Sequence, residues 1–353
     1  TAVISILQIG DSHIQAGFFP NEVRENLQRE FGNAGRGLIV PLKLAGTNEP
    51  PDYAITSPNS WNRSNCITRA ATEEPGMSGM SIVTYDRHIE LDIKTKEPFD
   101  RIWAFHHREA PLLTVPDSLS DGICCPALDN DEMTLIPLSR PVEQIRLCAS
   151  VADSSFAHSA FYGFSLENGR SGVLYHSFGI NGNTYAAINR NPQIVRQASG
   201  LCPDLVIVSL GTNDSYGASF DPADADVQIT RLIDSIRRNM PASVLLLTTP
   251  MEHCRRIRSK GRTYRKPNPN ACAMRECILR QAALYRLPVW DFYAAAGGDG
   301  AMGRWADLGI ANADRVHLSR EGYRLQGKLF YDAIMKAYDH YRKHNGELKI
   351  LLN

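Results

Sequence analysis

The sequence predicts an α/β protein: a doubly wound, mostly parallel sheet interrupted by an inserted all-β sandwich domain. Three observations carry this reading. The runs Asp204-Leu205-Val206-Ile207-Val208-Ser209-Leu210 and Ser243-Val244-Leu245-Leu246-Leu247-Thr248-Thr249 are almost continuously apolar, as strands buried on both faces are. Helical stripes alternate with such strands from about residue 170 onward. From about residue 38 to 165 the texture differs, with short alternating runs punctuated by proline and glycine and no long helical stripe.

Each element follows from its pattern. The run Ile4-Ser5-Ile6-Leu7-Gln8-Ile9 stops abruptly at Gly10-Asp11-Ser12-His13, as a strand ending in a tight turn does. A helix is expected from about Pro20, with Val23, Leu27 and Phe31 on one stripe and Gly32 ending it. Half-buried antiparallel strands are expected at Met80–Tyr85, His88–Ile93, Arg101–Phe105 and Val142–Leu147. Trp61, Tyr85 and Trp103 are candidate sugar-stacking aromatics there, set against the simpler reading that each fills the sandwich core. A strand from Gly172 to Phe178 then leads into Gly179-Ile180-Asn181-Gly182-Asn183, and the 204–210 strand ends in Gly211-Thr212-Asn213-Asp214. Residues 222–240 form a helix on Ile229, Leu232, Ile233, Ile236 and Met240, stopped by Pro241. After the 243–249 strand come a polar loop (252–269), a helix through 286, a short strand at 287–291 and a last helix from about Arg320. The expected division is 1–37 with 166–353 for the α/β domain and 38–165 for the insert.

Composition narrows the function classes. The 353 residues balance 38 Lys+Arg against 38 Asp+Glu, with 43% hydrophobic and 22% charged residues, which is ordinary for a folded globular chain. The one dense basic run, Arg255-Arg256-Ile257-Arg258-Ser259-Lys260-Gly261-Arg262, reads as a solvated loop, so nucleic-acid binding is not expected. No stretch approaches the ~20 apolar residues of a membrane-spanning helix. The chain begins at Thr1 rather than at a methionine, so the lack of a leader excludes no compartment. Cys66, Cys124, Cys125, Cys148, Cys202, Cys254, Cys272 and Cys277 show no metal-knuckle spacing and read as buried free thiols rather than disulfides. HExxH is absent and His106-His107 lie in a strand-like run, so neither a metal nor another cofactor is indicated.

Three turns, at residues 10–12, 179–182 and 211–214, end strands at the edge where open α/β sheets place their sites. Acyl transfer by a serine needs a base, a carboxylate that orients it and donors for the oxyanion. Ser12 is the candidate nucleophile, His317 the base and Asp314, three residues earlier, its orienting acid. The donors would be the Ser12 and Gly182 backbone N–H groups and the Asn213 side-chain amide. Asp11 is expected to shape the nucleophile turn, and His13, His176 and His253 to be structural.

Gly10-Asp11-Ser12, Gly182, Gly211-Thr212-Asn213-Asp214 and Asp314-Arg315-Val316-His317 together resemble the four blocks of the SGNH (GDSL-type) hydrolases. The resemblance implies a flavodoxin-like three-layer α/β/α fold and the same roles for Ser12, Asp314, His317, Gly182 and Asn213. Gly10-Asp11-Ser12-His13, Gly32-Asn33-Ala34-Gly35-Arg36-Gly37 and Tyr175-His176-Ser177-Phe178-Gly179-Ile180-Asn181-Gly182, with a β module between the first two blocks, look like the bacterial peptidoglycan O-acetylesterases. In those proteins the insert resembles a carbohydrate-binding module. The expected function is therefore removal of O-acetyl groups from an O-acetylated cell-wall glycan, without a cofactor. It would work outside the cytoplasm (periplasmic, outer-membrane-associated or secreted), with a monomer as the favoured state. The rivals are an acetylesterase of plant or other polysaccharides, a lipase or lysophospholipase, and a glycan-binding protein built on a silent hydrolase scaffold.

Overall fold

The structure, a computed structural model, describes residues 2–69, 73–121, 125–127, 130–152, 156–259 and 261–351. Strand β1 (Val3–Gly10) runs into a single helical turn, α1 (Ser12–Gln15), and then α2 (Phe18–Phe31). The insert contributes β2 (Gly37–Ile39), β3 (Tyr53–Thr56), β4 (Asn62–Asn65), β5 (Met80–Thr84), β6 (His88–His106), β7 (Cys125–Ala127), β8 (Asn130–Ser150) and β9 (Ser159–Glu167). The α/β pattern resumes with β10 (Gly172–Gly179), α3 (Tyr185–Asn189), α4 (Gln193–Ala198), β11 (Leu205–Ser209), α5 (Thr212–Tyr216), α6 (Pro222–Asn239) and β12 (Val244–Thr248). Next come β13 (Cys254–Ser259), β14 (Arg262–Pro267), α7 (Pro269–Tyr285), β15 (Val289–Trp290), α8 (Phe292–Ala295), α9 (Ala301–Asp307) and α10 (Arg320–Leu351).

Five strands form a parallel sheet in the order β10-β1-β11-β12-β15. Counted along the chain this is 2-1-3-4-5, so the direction of winding reverses at β1, between β10 and β11. The period of two along each strand feeds two cores. Leu7 and Ile9 join Val206, Val208, Leu245 and Leu247 against Ile229, Leu232 and Ile236 of α6 and Met274 and Ile278 of α7. Ile6, Val173, Tyr175 and Ile207 face the other way, onto Phe19, Val23 and Leu27 of α2 and Phe330 of α10. The sheet therefore has helices on both faces, the three-layer arrangement.

The insert is a single hydrogen-bonded antiparallel sheet with two leaves. The first halves of β6 (88–94) and the second halves of β8 (144–150) pair with each other and carry β3, while the remaining halves pair in the leaf that holds β9, β5, β4 and β7. Register shifts between Lys94 and Phe99 and between Phe99 and Arg101 mark the corner where β6 passes from one leaf to the other, as strands do when sandwich sheets share them. Both leaves contribute to the core that lies beneath α6 and α7, so apolar contact runs on from the insert into the α/β body. Trp61 and Trp103 are half-buried and pack against this core, whereas Tyr85 is 60% exposed.

Three expectations are adjusted. The segment expected as a polar loop at 252–269 holds a two-stranded hairpin, β13 with β14, because the residues flanking Gly261 pair in register. Helix α2 begins at Phe18, two residues before Pro20, since a proline is accommodated in a first turn where no amide partner is needed. Among the described residues Cys66, Cys148, Cys202, Cys254, Cys272 and Cys277 are free, but of these only Cys66, Cys254 and Cys277 are buried; Cys124 and the side chain of Cys125 lie outside what the structure describes.

The insert and the α/β body are also tied by buried charge. Arg24 of α2 bonds to Glu97 and, at 3.3 Å, to Asp52; Arg36 Nε donates to Asp52 at 2.8 Å and its Nη1 to the Leu38 carbonyl at 2.6 Å. Burial works against charge on Asp52, but Arg36 and then Arg24 outweigh it and hold the carboxyl near 2. Because that value lies below the ordinary 3.8, its stabilisation is present above pH ~4 and is lost as pH falls towards about 2. Asp52→Ala would leave buried Arg36 without its acid and take one of its acids from Arg24, and should cost about 3–5 kcal/mol in urea unfolding at neutral pH. Arg146→Ala, which breaks the exposed Arg146–Asp92 pair, should cost below about 1 kcal/mol in the same assay.

Candidate active site

The site grows from the ends of β1 and β10. Gly10 and Gly179 stand opposite each other in register. A Cβ on Gly10 would lie 2.1 Å from Ile14 Cγ1, and one on Gly179 would lie 2.3 Å from the Asp11 carbonyl oxygen. Only glycine at both positions lets the chain fold back over the sheet edge. The turn is capped by Asp11, whose Oδ1 accepts from the His13 amide at 2.9 Å, and Ser12 opens α1 as its first residue.

The base arrives from the other end of the chain. Ser12 Oγ lies 2.9 Å from His317 Nε2, and His317 Nδ1 lies 2.6 Å from Asp314 Oδ2. The other oxygen of Asp314 accepts from the Val316 and His317 amides, each at 3.0 Å, which locks the carboxylate against the ring. Partial burial disfavours charge on Asp314, but the His317 bond and the two amide bonds prevail and hold its carboxyl below the ordinary range. The structure therefore brings Ser12, His317 and Asp314 into one hydrogen-bonded line across 305 positions of sequence.

The three expected oxyanion donors converge less directly. Asn213 Nδ2 donates to the Asn183 carbonyl at 3.0 Å and to Asp11 Oδ2 at 3.3 Å, so it is joined to the residue after Gly182 and to the residue before Ser12. Gly182 takes a φ of 83° in an exposed turn, and no atom lies within 4 Å of where its Cβ would be. Asn183, fully buried, fastens this turn to the nucleophile strand by donating to the Gly10 carbonyl at 2.9 Å.

Two further side chains join the site that spacing in the sequence does not single out. His13, expected to be structural, stacks on His317 with ring centroids 5.2 Å apart and planes 28° from parallel. Its Nδ1 lies 3.0 Å from the Tyr323 hydroxyl on the first turn of α10. Burial, then the neighbouring His317, lower the His13 value to about 3, so the ring under His317 is neutral. His176 and His253 lie away from Ser12 in their bonding: His176 Nδ1 accepts from the Leu38 amide, and His253 pairs with Asn268. An open cleft of about 380 Å³ lies over Ser12 and His317, walled by Asn48, Asn181, Asn312, Ser319 and Arg320. Asn48 belongs to the segment after β2 and is held there by Gln15, which bonds Thr47, Asn48 and the Asn181 amide.

Burial raises the Asp11 carboxyl from 3.8 to about 7. The folded state thus keeps a proton that the unfolded chain releases, and ionising Asp11 removes stability as pH rises between these values. Buried neutral His13, His176 and His253 act in the opposite sense towards acid, so a difference measurement is needed. Relative to Asp11→Asn, the wild type should lose on the order of 2 kcal/mol between about pH 4 and pH 7 in thermal unfolding; parallel curves would show that the carboxyl does not titrate there.

Comparison with known proteins follows the same lines. Residues 153–325 match the GDSL-like lipase/acylhydrolase family, a span that takes in Gly182, Asn213, Asp314 and His317, while Ser12 precedes the insert and is joined to them by the fold. No curated protein matches the sequence. A solved structure of a peptidoglycan O-acetylesterase superposes with a TM-score of 0.76 at 20% identity, covering 95% of this chain and 91% of that one. A lipase/acylhydrolase from Enterococcus faecalis (23% identity, TM-score 0.36, 46% of this chain and 76% of that one) and an acetyl xylan esterase (18%, 0.37, 46% and 81%) match over about half the chain. The superposition on the peptidoglycan O-acetylesterase extends over sheet and insert together, and so shows the fold across nearly the whole length. Over residues 153–325, just under half of the chain, the protein is thus similar to the GDSL-like lipase/acylhydrolase family.

Proposed function

We propose that the protein is a serine esterase that removes O-acetyl groups from a bacterial cell-wall glycan through an acetyl-enzyme on Ser12. The observation that carries the reading is the Ser12–His317–Asp314 line at 2.9 and 2.6 Å. With Nδ1–H donating to Asp314, His317 Nε2 is left to accept the Ser12 hydroxyl proton as Oγ attacks the acetyl carbonyl. Asp314 keeps its charge and steadies the imidazolium. The oxyanion is met by the Ser12 and Gly182 amides and by Asn213, whose long 3.3 Å bond to Asp11 is the one it exchanges. Nε2–H then protonates the departing sugar alkoxide, and water attacks the acetyl-enzyme with His317 again as base. Nothing in this sequence of steps calls on a metal or an organic cofactor.

The choice of a sugar acetate over a long acyl chain rests on the cleft. Asn48, Asn181, Asn312, Ser319 and Arg320 offer partners for hydroxyl and amide groups, while Ala16, Phe18, Leu318 and Tyr323 line the rest of the cleft with apolar surface suited to a sugar face and a short acyl group. The likeness of the whole chain, insert included, to a peptidoglycan O-acetylesterase supports the cell-wall glycan in particular. Such a substrate puts the enzyme outside the cytoplasm, and no helix among the described residues is long and apolar enough to cross a membrane.

Acetate release from O-acetylated peptidoglycan tests the proposal. Ser12→Ala and His317→Ala should each lower kcat by about 10⁴-fold or more, and Asn213→Ala by about 10²–10³-fold. Equal release by wild type and Ser12→Ala would remove the nucleophile assignment. In a chain-length series, p-nitrophenyl acetate should be turned over faster than the octanoate; the reverse order would favour a lipase, and a clear preference for acetylated xylan a plant-polysaccharide enzyme.

A further inference from the structure

The hairpin of β13 and β14 is built against its own electrostatics. Arg255 stands directly opposite Lys266, and Arg256 directly opposite Arg265. Like charges placed opposite each other on adjacent strands destabilise the pair, and an isolated two-stranded ribbon has little stability to spare. Among the described residues no ion pair joins them to an acid, whereas Arg275 and Arg280 of α7, the helix that follows, pair with Asp291 and Asp226. Burial alternates along β13, with Arg255 and Ile257 half-buried and Arg256 and Arg258 exposed. One face therefore presents Arg256, Arg258 and exposed Arg265 to solvent, while on the other half-buried Arg255 and Ile257 stand opposite exposed Lys266 and Tyr264.

This ribbon rises from the catalytic edge. The Cys254 amide donates to the Arg315 carbonyl at 2.8 Å, inside the Asp314–His317 turn, and the Asn268 amide closes the stem on the His253 carbonyl at 2.9 Å. The chain as a whole is neutral, with 38 charges of each sign, so the positive face is a local device and not a consequence of overall composition. Resting on the cell-wall reading above, we propose that Arg256, Arg258 and Arg265 bind the carboxylates of the peptide stems of the glycan. Those acids are tethered to the same strand as the acetyl ester. They neutralise the opposed arginines and steer the polymer onto Ser12. The hairpin thereby selects peptide-bearing glycan over neutral acetylated polysaccharide.

The test compares wild type with the triple variant Arg256→Gln/Arg258→Gln/Arg265→Gln on O-acetylated peptidoglycan, before and after an amidase has removed its stem peptides and the glycan carboxylates so exposed have been capped as neutral amides by carbodiimide coupling to methylamine. The readout is the ratio of the two kcat/KM values for acetate release. Wild type should prefer the peptide-bearing glycan by about tenfold, through KM, and raising salt to about 0.3 M should erase much of that preference. The variant should show a ratio near one, with a melting temperature equal to or above that of wild type. A preference retained in the variant, or absent from wild type, overturns the inference while leaving the esterase reading intact. Acetate release from neither glycan by wild type would instead bring down the esterase reading, and this inference with it. If the substitutions abolish binding to phosphatidylglycerol-containing vesicles but spare the peptide preference, the face serves a phosphate surface and the proposal fails.

Discussion

The close approach of β1 and β10 at Gly10 and Gly179 is the constraint on which the rest of the site depends. Parallel strands in register would normally carry side chains to the sheet edge, but here the chain must turn back across that edge within a single residue. Two opposed glycines open the space, the Asp11 side chain caps the turn, and the Asn183 amide ties the neighbouring turn to the Gly10 carbonyl. A methyl at either position would overlap the turn that carries Ser12, at the Ile14 side chain or at the Asp11 carbonyl.

Around this turn, charge is handled by opposite means on its two sides. Asp314 is only half-buried and is kept ionised by hydrogen bonds from His317 and two amides. Asp11, fully enclosed, is pushed towards neutrality, as is Asp214, whose carboxyl rises to about 7 for the same reason of burial. His13 is likewise neutral beneath His317. The carboxylate bonded to the catalytic imidazole is thus Asp314, on the side of Nδ1, while the Nε2 side faces Ser12 and the open cleft. The insert takes part in this arrangement: its first segment supplies Asn48 to the cleft wall, and its buried charges grip α2 through Arg24.

Much of the fold was legible because its signals are local. A strand buried on both faces has to be apolar throughout, and the 204–210 and 243–249 runs show it; the stripe from Ile229 to Met240 marks α6 without reference to any partner. The insert was visible as a loss of helical period, although not the way β6 and β8 bend between two leaves, since a bend at 94–101 depends on what lies across it. The hairpin at 254–267 was hidden by its charge: alternation of arginine with small or polar residues carries no hydrophobic period, and only cross-strand register reveals two strands.

For the site, the residue types and their blocks were set by chemistry that chain order preserves: a serine after a strand, an asparagine after another, an acid three residues before a histidine. Those follow from the sequence by itself. The roles of position belong to the tertiary structure. That His13 stacks on the catalytic ring, that Tyr323 holds it and that Asn48 walls the cleft all arise between residues far apart in the chain. Their sequence neighbours give no period or spacing to detect, because the contacts exist only once the sheet edge has gathered the turns together.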